Sequence, residues 1–341
     1  PVAEQTQIEE PKEPQQEEVK IAQSESPAQT EKAPDVVEEP KTQPEEIKTS
    51  EPEQSQTTEK EVQQQSQTVE EENQDSQTGQ QQSAEINPID NFYKQYAEIL
   101  KEFVDKEGKV DYKNLRKKRI ALVSILQNLS EMHPAMLIKA DDKDKMAFWI
   151  NAYNVLTLKL VIDNYPIKPL WYMITYPDNS IMHITGAWTK NYFNVMGLEY
   201  NLHEIEQEIM LNKFKEPRVW FAICNATVSG GYLRNEPYYP ERLDQQLDEQ
   251  SRKYVNSPKG VQVNKAANEL LLSDLFKWYR NDFVEKYGKI KKFRNLDEDV
   301  RSYVNFIVMY ADEDTVKFIQ NGNYQVKFMK YNWLLNDQDN K

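Results

Sequence analysis

One cysteine, three histidines and a serine–glycine–glycine turn are the residues of this 341-residue chain best suited to covalent chemistry. Cys224 lies in the run Phe221-Ala222-Ile223-Cys224-Asn225; Ser229-Gly230-Gly231 comes shortly after, with Arg234 just beyond. A thiol or hydroxyl acts as a nucleophile only with a base beside it or a lowered pKa. The candidate bases are His183, in an aromatic stretch near Trp188, and His203, in the first turn of an expected helix. His133 precedes Pro134 and reads as a surface turn. Small residues after a buried strand leave backbone N–H groups free, an arrangement that suits an oxyanion site. Arg234 suits a carboxylate or another anion.

Much chemistry is excluded at once. A lone cysteine rules out an intrachain disulfide and a thiolate zinc site, and the three histidines are too scattered to form a metal cluster by spacing. No phosphate loop, dinucleotide fingerprint, His-Glu-x-x-His or Gly-x-Ser-x-Gly elbow is present, so no cofactor is expected. The formal charge of −14 is unevenly spread: residues 1–90 carry 23 acids and 6 bases, which leaves the remainder at +3. Nucleic acid is therefore not an expected partner. No apolar run reaches the roughly 18 residues a spanning helix needs. The chain begins at Pro1 without Met, which leans toward an exported, processed chain.

The elements that must position the candidates follow from patterning. Residues 1–90 hold 18 Gln, 9 of the 17 Pro and no aromatic residue, so they read as a disordered acidic tail. All 37 aromatics fall from Phe92 onward, enough for one domain over 91–341. Asp90 reads as the cap of a first helix carrying Phe92, Tyr96, Ile99 and Phe103. A second helix carries Leu115, Ile120, Val123, Leu126 and Leu129 near one side. The strongest helix opens at Asp141–Asp144 and presents Phe148, Trp149, Ala152, Val155, Leu156 and Leu160. Asn151 and Asn154 lie beside that face and read as buried amides bonded to loop backbone. Trp171, Tyr172 and Trp188 read as core. Arg218–Asn225 reads as a buried strand, and Ser273 as the cap of a later helix. The expected class is α+β: one helix-rich domain with a small sheet.

The order of several motifs is recognisable. Gly-Lys-Val-Asp-Tyr at 108–112, Ala-Phe-Trp-Ile-Asn-Ala-Tyr-Asn at 147–154 and Glu-Pro-Arg-Val-Trp-Phe-Ala at 216–222 occur in sequence. Tyr-Tyr-Pro-Glu-Arg-Leu-Asp at 238–244, Leu-Phe-Lys-Trp-Tyr-Arg-Asn-Asp-Phe at 275–283 and Tyr-Asn-Trp-Leu-Leu-Asn at 331–336 follow. Together they resemble the domain-of-unknown-function 547 family over roughly residues 92–336. The resemblance implies one domain and no established general activity. It also implies that many relatives carry His at the positions of Gln207 and Trp220, and Cys at those of Asn225 and Gly230. A His/Cys set would support thiol chemistry; here every such position is replaced.

The reading that results is a non-catalytic, degenerate member that binds a peptide or protein. Its cleft is expected at Asn151, Asn154, Gln207, Trp220, Asn225, Ser229, Gly230, Gly231 and Arg234. One rival is a hydrolase or acyltransferase using Cys224 or Ser229 with His183 or His203 as base. Another is a structural tether whose tail sets distance from a surface.

Overall fold

The structure is a computed structural model that describes residues 87–340. The tail read over residues 1–90, and the tether that rests on it, lie outside the described residues up to residue 86; the last residues of that range, Pro88–Asp90, open the first helix instead.

The first helix, Pro88–Phe103, opens differently from expectation. Its cap is Asn87, whose side chain accepts from the Ile89 amide, and Asp90 sits in the first turn instead. The reason is Pro88: proline takes the first helical position, where its missing N–H costs nothing. The helix Arg119–Glu131 buries Leu122, Ile125 and Leu129. Ile120 and Val123, expected on that face, are exposed. The buried stripe is thus a narrow i, i+3, i+7 seam.

The central element is the 23-residue helix Asp142–Asn164. Asp141 accepts from the Asp144 amide while Asp144 accepts from the Asp141 amide, so two of the three acids of the opening are used in a capping box. From Ala147 to Leu158 every residue is buried, polar ones included. A helix covered on all sides must satisfy its polar groups within the protein, and Asn151 and Asn154 do so through loops described below.

The β structure is small. β1 (Phe193–Val195) and β2 (Leu198–Tyr200) form an antiparallel hairpin. β3 (Val261–Asn264) pairs antiparallel with β4 (Glu269–Leu272), and β4 pairs parallel with β5 (Gln325–Phe328). The crossover from β4 to β5 carries the helix Asp274–Trp278, capped by Ser273 as expected, and the helix Glu298–Tyr310. With helices dominating, the class is α+β.

The core around the crossover is aromatic. Phe221 stacks on Tyr254 at 4.6 Å and on Phe306 at 5.5 Å, with Phe276 and Phe283 at its edges. Arg218 ties this region together. Its guanidinium reaches Glu216, Asp244 and Asp248 at 2.8–3.0 Å, joining the 216–221 turn to the helix Leu243–Val255. Among the described residues, no helix is long and apolar enough to cross a membrane.

Candidate functional site

Two asparagines one helical turn apart position the loop that holds most candidate residues. Asn154 donates to the Ala222 carbonyl at 3.1 Å and accepts from the Cys224 amide at 2.7 Å. Asn151 donates to the Tyr238 carbonyl at 2.7 Å and accepts from the Tyr238 amide at 2.9 Å. Each side chain replaces a stretch of sheet pairing. The expectation that these are buried amides bonded to loop backbone holds in both cases.

The expected strand over Arg218–Asn225 is not there. Pro217–Phe221 is a tight helical turn whose cap is Glu216, accepting from the Arg218 amide. Proline at the first helical position favours this turn. Val219 through Cys224 are all buried, and a fully buried run carries no alternation to separate strand from helix. Cys224 and Asn225 lie just beyond this turn, outside any helix or strand. Their side chains do have different surroundings. Cys224 Sγ accepts from Asn336 Nδ2 at 3.4 Å, whereas Asn225 donates to the Tyr331 hydroxyl at 2.8 Å and accepts from Thr227 Oγ1 at 2.7 Å.

The backbone amides expected to be free after this segment are largely engaged. Val228 N donates to Leu334 O at 2.8 Å, Ser229 N to Asn332 O at 3.2 Å, and Gly230 N to Thr227 Oγ1 at 3.1 Å. In return, Asn332 N donates to Ser229 Oγ at 2.9 Å. The loop pairs with the chain's last segment instead of opening an oxyanion site. Its two glycines are there for closeness. A Cβ on Gly230 would lie 2.0 Å from Asn225 Oδ1, and one on Gly231 would lie 2.3 Å from Ile223 O.

The candidate bases are placed elsewhere. His183 is buried, with Nδ1 accepting from Leu170 N at 3.1 Å and Nε2 3.0 Å from Pro177 O. Nδ1 accepts a backbone N–H, so Nε2 carries the proton and donates. His133 accepts from the Ala135 amide, and His203 is exposed. The Cys224 thiol is pushed up by burial, with the Ala226 backbone, Lys259 and Asn336 opposing. That makes it a poor thiolate.

Trp220 is buried, its indole N–H bonded to Asp282 at 2.8 Å and its ring stacked on Tyr279 at 3.6 Å. Burial raises the Asp282 carboxyl to about 6, against the pull of the Trp220 hydrogen bond. The Tyr279 hydroxyl continues the chain of contacts to Glu206 at 2.7 Å. Glu206 and Gln207 lie on Ile205–Phe214, a wide helix of i to i+5 pitch. Such pitch is rare and often marks functional positions. Burial raises the Glu206 carboxyl, opposed by hydrogen bonds from Tyr279 and Tyr153 and by His203.

Arg234 is joined to Glu236 at 2.6 Å and Glu249 at 3.0 Å, so its charge is already answered within the protein. Another cation stands beside the loop. Lys259 Nζ donates to Gly230 O at 2.6 Å and lies 3.4 Å above the Tyr232 ring. Desolvation lowers it to about 7, with Lys253 adding to the shift and Cys224 opposing it. Lys259, Ser229, Ser273, Asp274, Lys330 and Tyr331 are among the residues lining a cavity of about 450 Å³. A larger groove, about 1190 Å³, runs along the first helix and Met136–Asp144, and contains none of the expected cleft residues.

The expected residues thus fall into groups. Asn154 meets the Cys224 backbone; Asn225, Thr227, Gly230 and Tyr331 form one hydrogen-bonded cluster; Ser229 faces the cavity. Trp220 reaches the Glu206–Gln207 helix through Tyr279, and Arg234 stands apart with its acids. Sequence reasoning missed Glu206 and Lys259. Glu206 had a local signal, since it stands beside Gln207, a position where the resemblance implies His in many relatives. Lys259 had none, because its partners lie far along the chain. Among the described residues, no group of three or more His, Cys, Asp or Glu is placed to hold a metal ion.

Residues 137–255 match the family model described as Protein of unknown function, DUF547. No curated protein and no solved structure matches the chain. The matched segment is shorter than the span over which the motifs resemble the family. It contains every expected cleft residue, but not the 332–336 segment that pairs with the loop, nor Lys259.

Proposed function

We propose that this domain binds an acidic peptide or protein segment and performs no thiol chemistry on it. The observation that carries the reading is the cavity beside Ser229, where Lys259 stands with a carbonyl and an aromatic face as its close partners. A lysine held at about 7 is one whose burial is not offset by a paired carboxylate, so an incoming carboxylate would relieve that cost. Lys330 adds positive charge at the rim and Asp274 opposes it. Ser229 Oγ accepts the Asn332 amide and keeps its own proton to donate to an incoming carboxylate. The anion site is thereby assigned to Lys259 in place of Arg234. The engaged ring of His183 and the raised Cys224 thiol support the absence of thiol chemistry.

Peptide selection tests this reading. A phage-displayed random library is selected on the full chain and counter-selected on Lys259→Met. Enriched peptides carry Asp or Glu and lose binding to the variant; peptides that bind both proteins equally refute the assignment.

One observation favours a second reading. Ser229 and Lys259 line the same cavity, and a lysine near 7 can serve a hydroxyl as general base. Under that reading the hydrolase uses Lys259 in place of a histidine. A fluorophosphonate probe would then label Ser229 in the wild type and not in Lys259→Met. Ser229 Oγ already accepts the Asn332 amide, so binding without labelling is the expected result.

A further inference from the structure

The loop from Pro166 to Pro177 turns its largest side chains outward. Trp171 and Ile174 are each 87% exposed and Tyr172 is 59% exposed. The expectation that Trp171 and Tyr172 belong to the core is therefore wrong, while Trp188 is half-buried against Trp333 at 6.4 Å. The exposure is built into the fold. His183 closes the loop at both ends, accepting from Leu170 N and donating to Pro177 O. Inside it, Met173 N donates to Leu170 O at 2.9 Å and Tyr176 N to Met173 O at 3.2 Å. At its base, Tyr176 packs edge-on against Trp333 at 5.9 Å. Trp171 and Tyr172 brace each other at the tip, 5.7 Å apart and nearly perpendicular. A closed, braced loop holds three large apolar side chains in water, at a standing cost in hydration.

Three features indicate what removes that cost. First, from Tyr165 to Pro177 the only charged residue is Lys168. Second, tryptophan and tyrosine are the side chains that favour the boundary between lipid headgroups and acyl chains. Third, the protrusion is narrow. Its three side chains present roughly 400 Å², whereas a stable protein interface needs about 800 Å² from each partner. A bilayer accepts a narrow finger without a matching surface. We propose that the 170–175 loop is a membrane-surface anchor, in which Trp171, Tyr172 and Ile174 insert into the headgroup region of a lipid bilayer while Lys168 stays at the phosphate level. The contact is peripheral, and it is independent of what the Lys259 cavity binds.

Vesicle flotation of the full chain tests the proposal, using phosphatidylcholine alone and phosphatidylcholine mixed with phosphatidylserine. The wild type floats with both, and more with the anionic mixture. Trp171→Ser combined with Ile174→Ser lowers partitioning by about tenfold or more. Because these side chains lie outside the core, circular dichroism and the melting temperature stay unchanged. Trp171→Phe isolates the reporter: the wild type shows a blue-shifted emission on vesicles that this variant lacks. Absence of wild-type flotation with either vesicle overturns the proposal, as does equal flotation of the double variant. A dimer in solution that Trp171→Ser dissociates would assign the finger to a second copy, and would also overturn it.

Discussion

Two loops of this domain are each fastened by side chains that bond backbone at separated points, yet they face opposite ways. The 222–238 loop is clamped by Asn151 and Asn154, and its apolar residues enter the core. The 170–177 loop is clamped by His183, and its apolar residues stand in water. The fastening does not decide which way a loop faces. What differs is the supporting surface. The inner loop pairs with the 332–336 segment and packs Tyr232 against Tyr254 of the aromatic core, whereas the outer loop packs Tyr176 on Trp333 and leaves Trp171, Tyr172 and Ile174 exposed. The inner clamp therefore carries global stability, and the outer clamp carries local shape.

That contrast can be broken or sharpened in order of expected effect. Asn154→Ala leaves the Ala222 carbonyl and the Cys224 amide buried without their partner, and opens a small void. It is expected to cost about 2–4 kcal/mol, measured by urea denaturation; a cost below about 1 kcal/mol would erase the distinction between the loops.

Lys259 adds a pH signature to the inner region. Its folded pKa, about 7, lies below that of an unfolded lysine, so the unfolded state binds more protons above pH 7. Stability must then rise with pH. From pH 7 to 8.5 the wild type should gain about 1–2 kcal/mol that Lys259→Met does not show. Groups near or on the cavity with Lys259 are Cys224, Lys253, Tyr232, Tyr254, Asp274 and Lys330. Cys224 acts the opposite way at higher pH, because its raised thiol stays protonated in the fold while the unfolded thiol ionises.

His183→Ala should shift global stability by only about 1 kcal/mol, but increase hydrogen exchange at the Leu170 amide about tenfold. Trp171→Ala should change stability by less than about 0.5 kcal/mol, since its side chain packs on little besides Tyr172. A large loss from Trp171→Ala would mean that the outer loop supports the fold after all.

Local signals in the sequence were legible where the physics is local. The acidic opening at Asp141–Asp144, the Ser273 cap and the buried amides Asn151 and Asn154 are readable because cap and partner sit within one turn, or because a polar residue interrupts an apolar face. Two kinds of feature were not. The segment Pro217–Cys224 reads as strand because a fully buried run is apolar at every position, which suits either conformation. The outward loop reads as core because composition carries no direction. The site was half legible. The Ser229-Gly230-Gly231 turn stands out locally, but its closeness to Lys259, Ser273 and Tyr331 comes from a crossover and a returning last segment. Glu206 is legible only as the neighbour of Gln207, because its partners Tyr153 and Tyr279 lie far off in the sequence.

The measurement closest to the central claim is the affinity of one selected acidic peptide, and of its Glu→Gln counterpart, at pH 6 and pH 9. If Lys259 holds the carboxylate, the acidic peptide binds the wild type at least about tenfold more tightly at pH 6, while the glutamine peptide and Lys259→Met show no such change. Equal affinity of the acidic peptide for the wild type at both pH values would contradict the account.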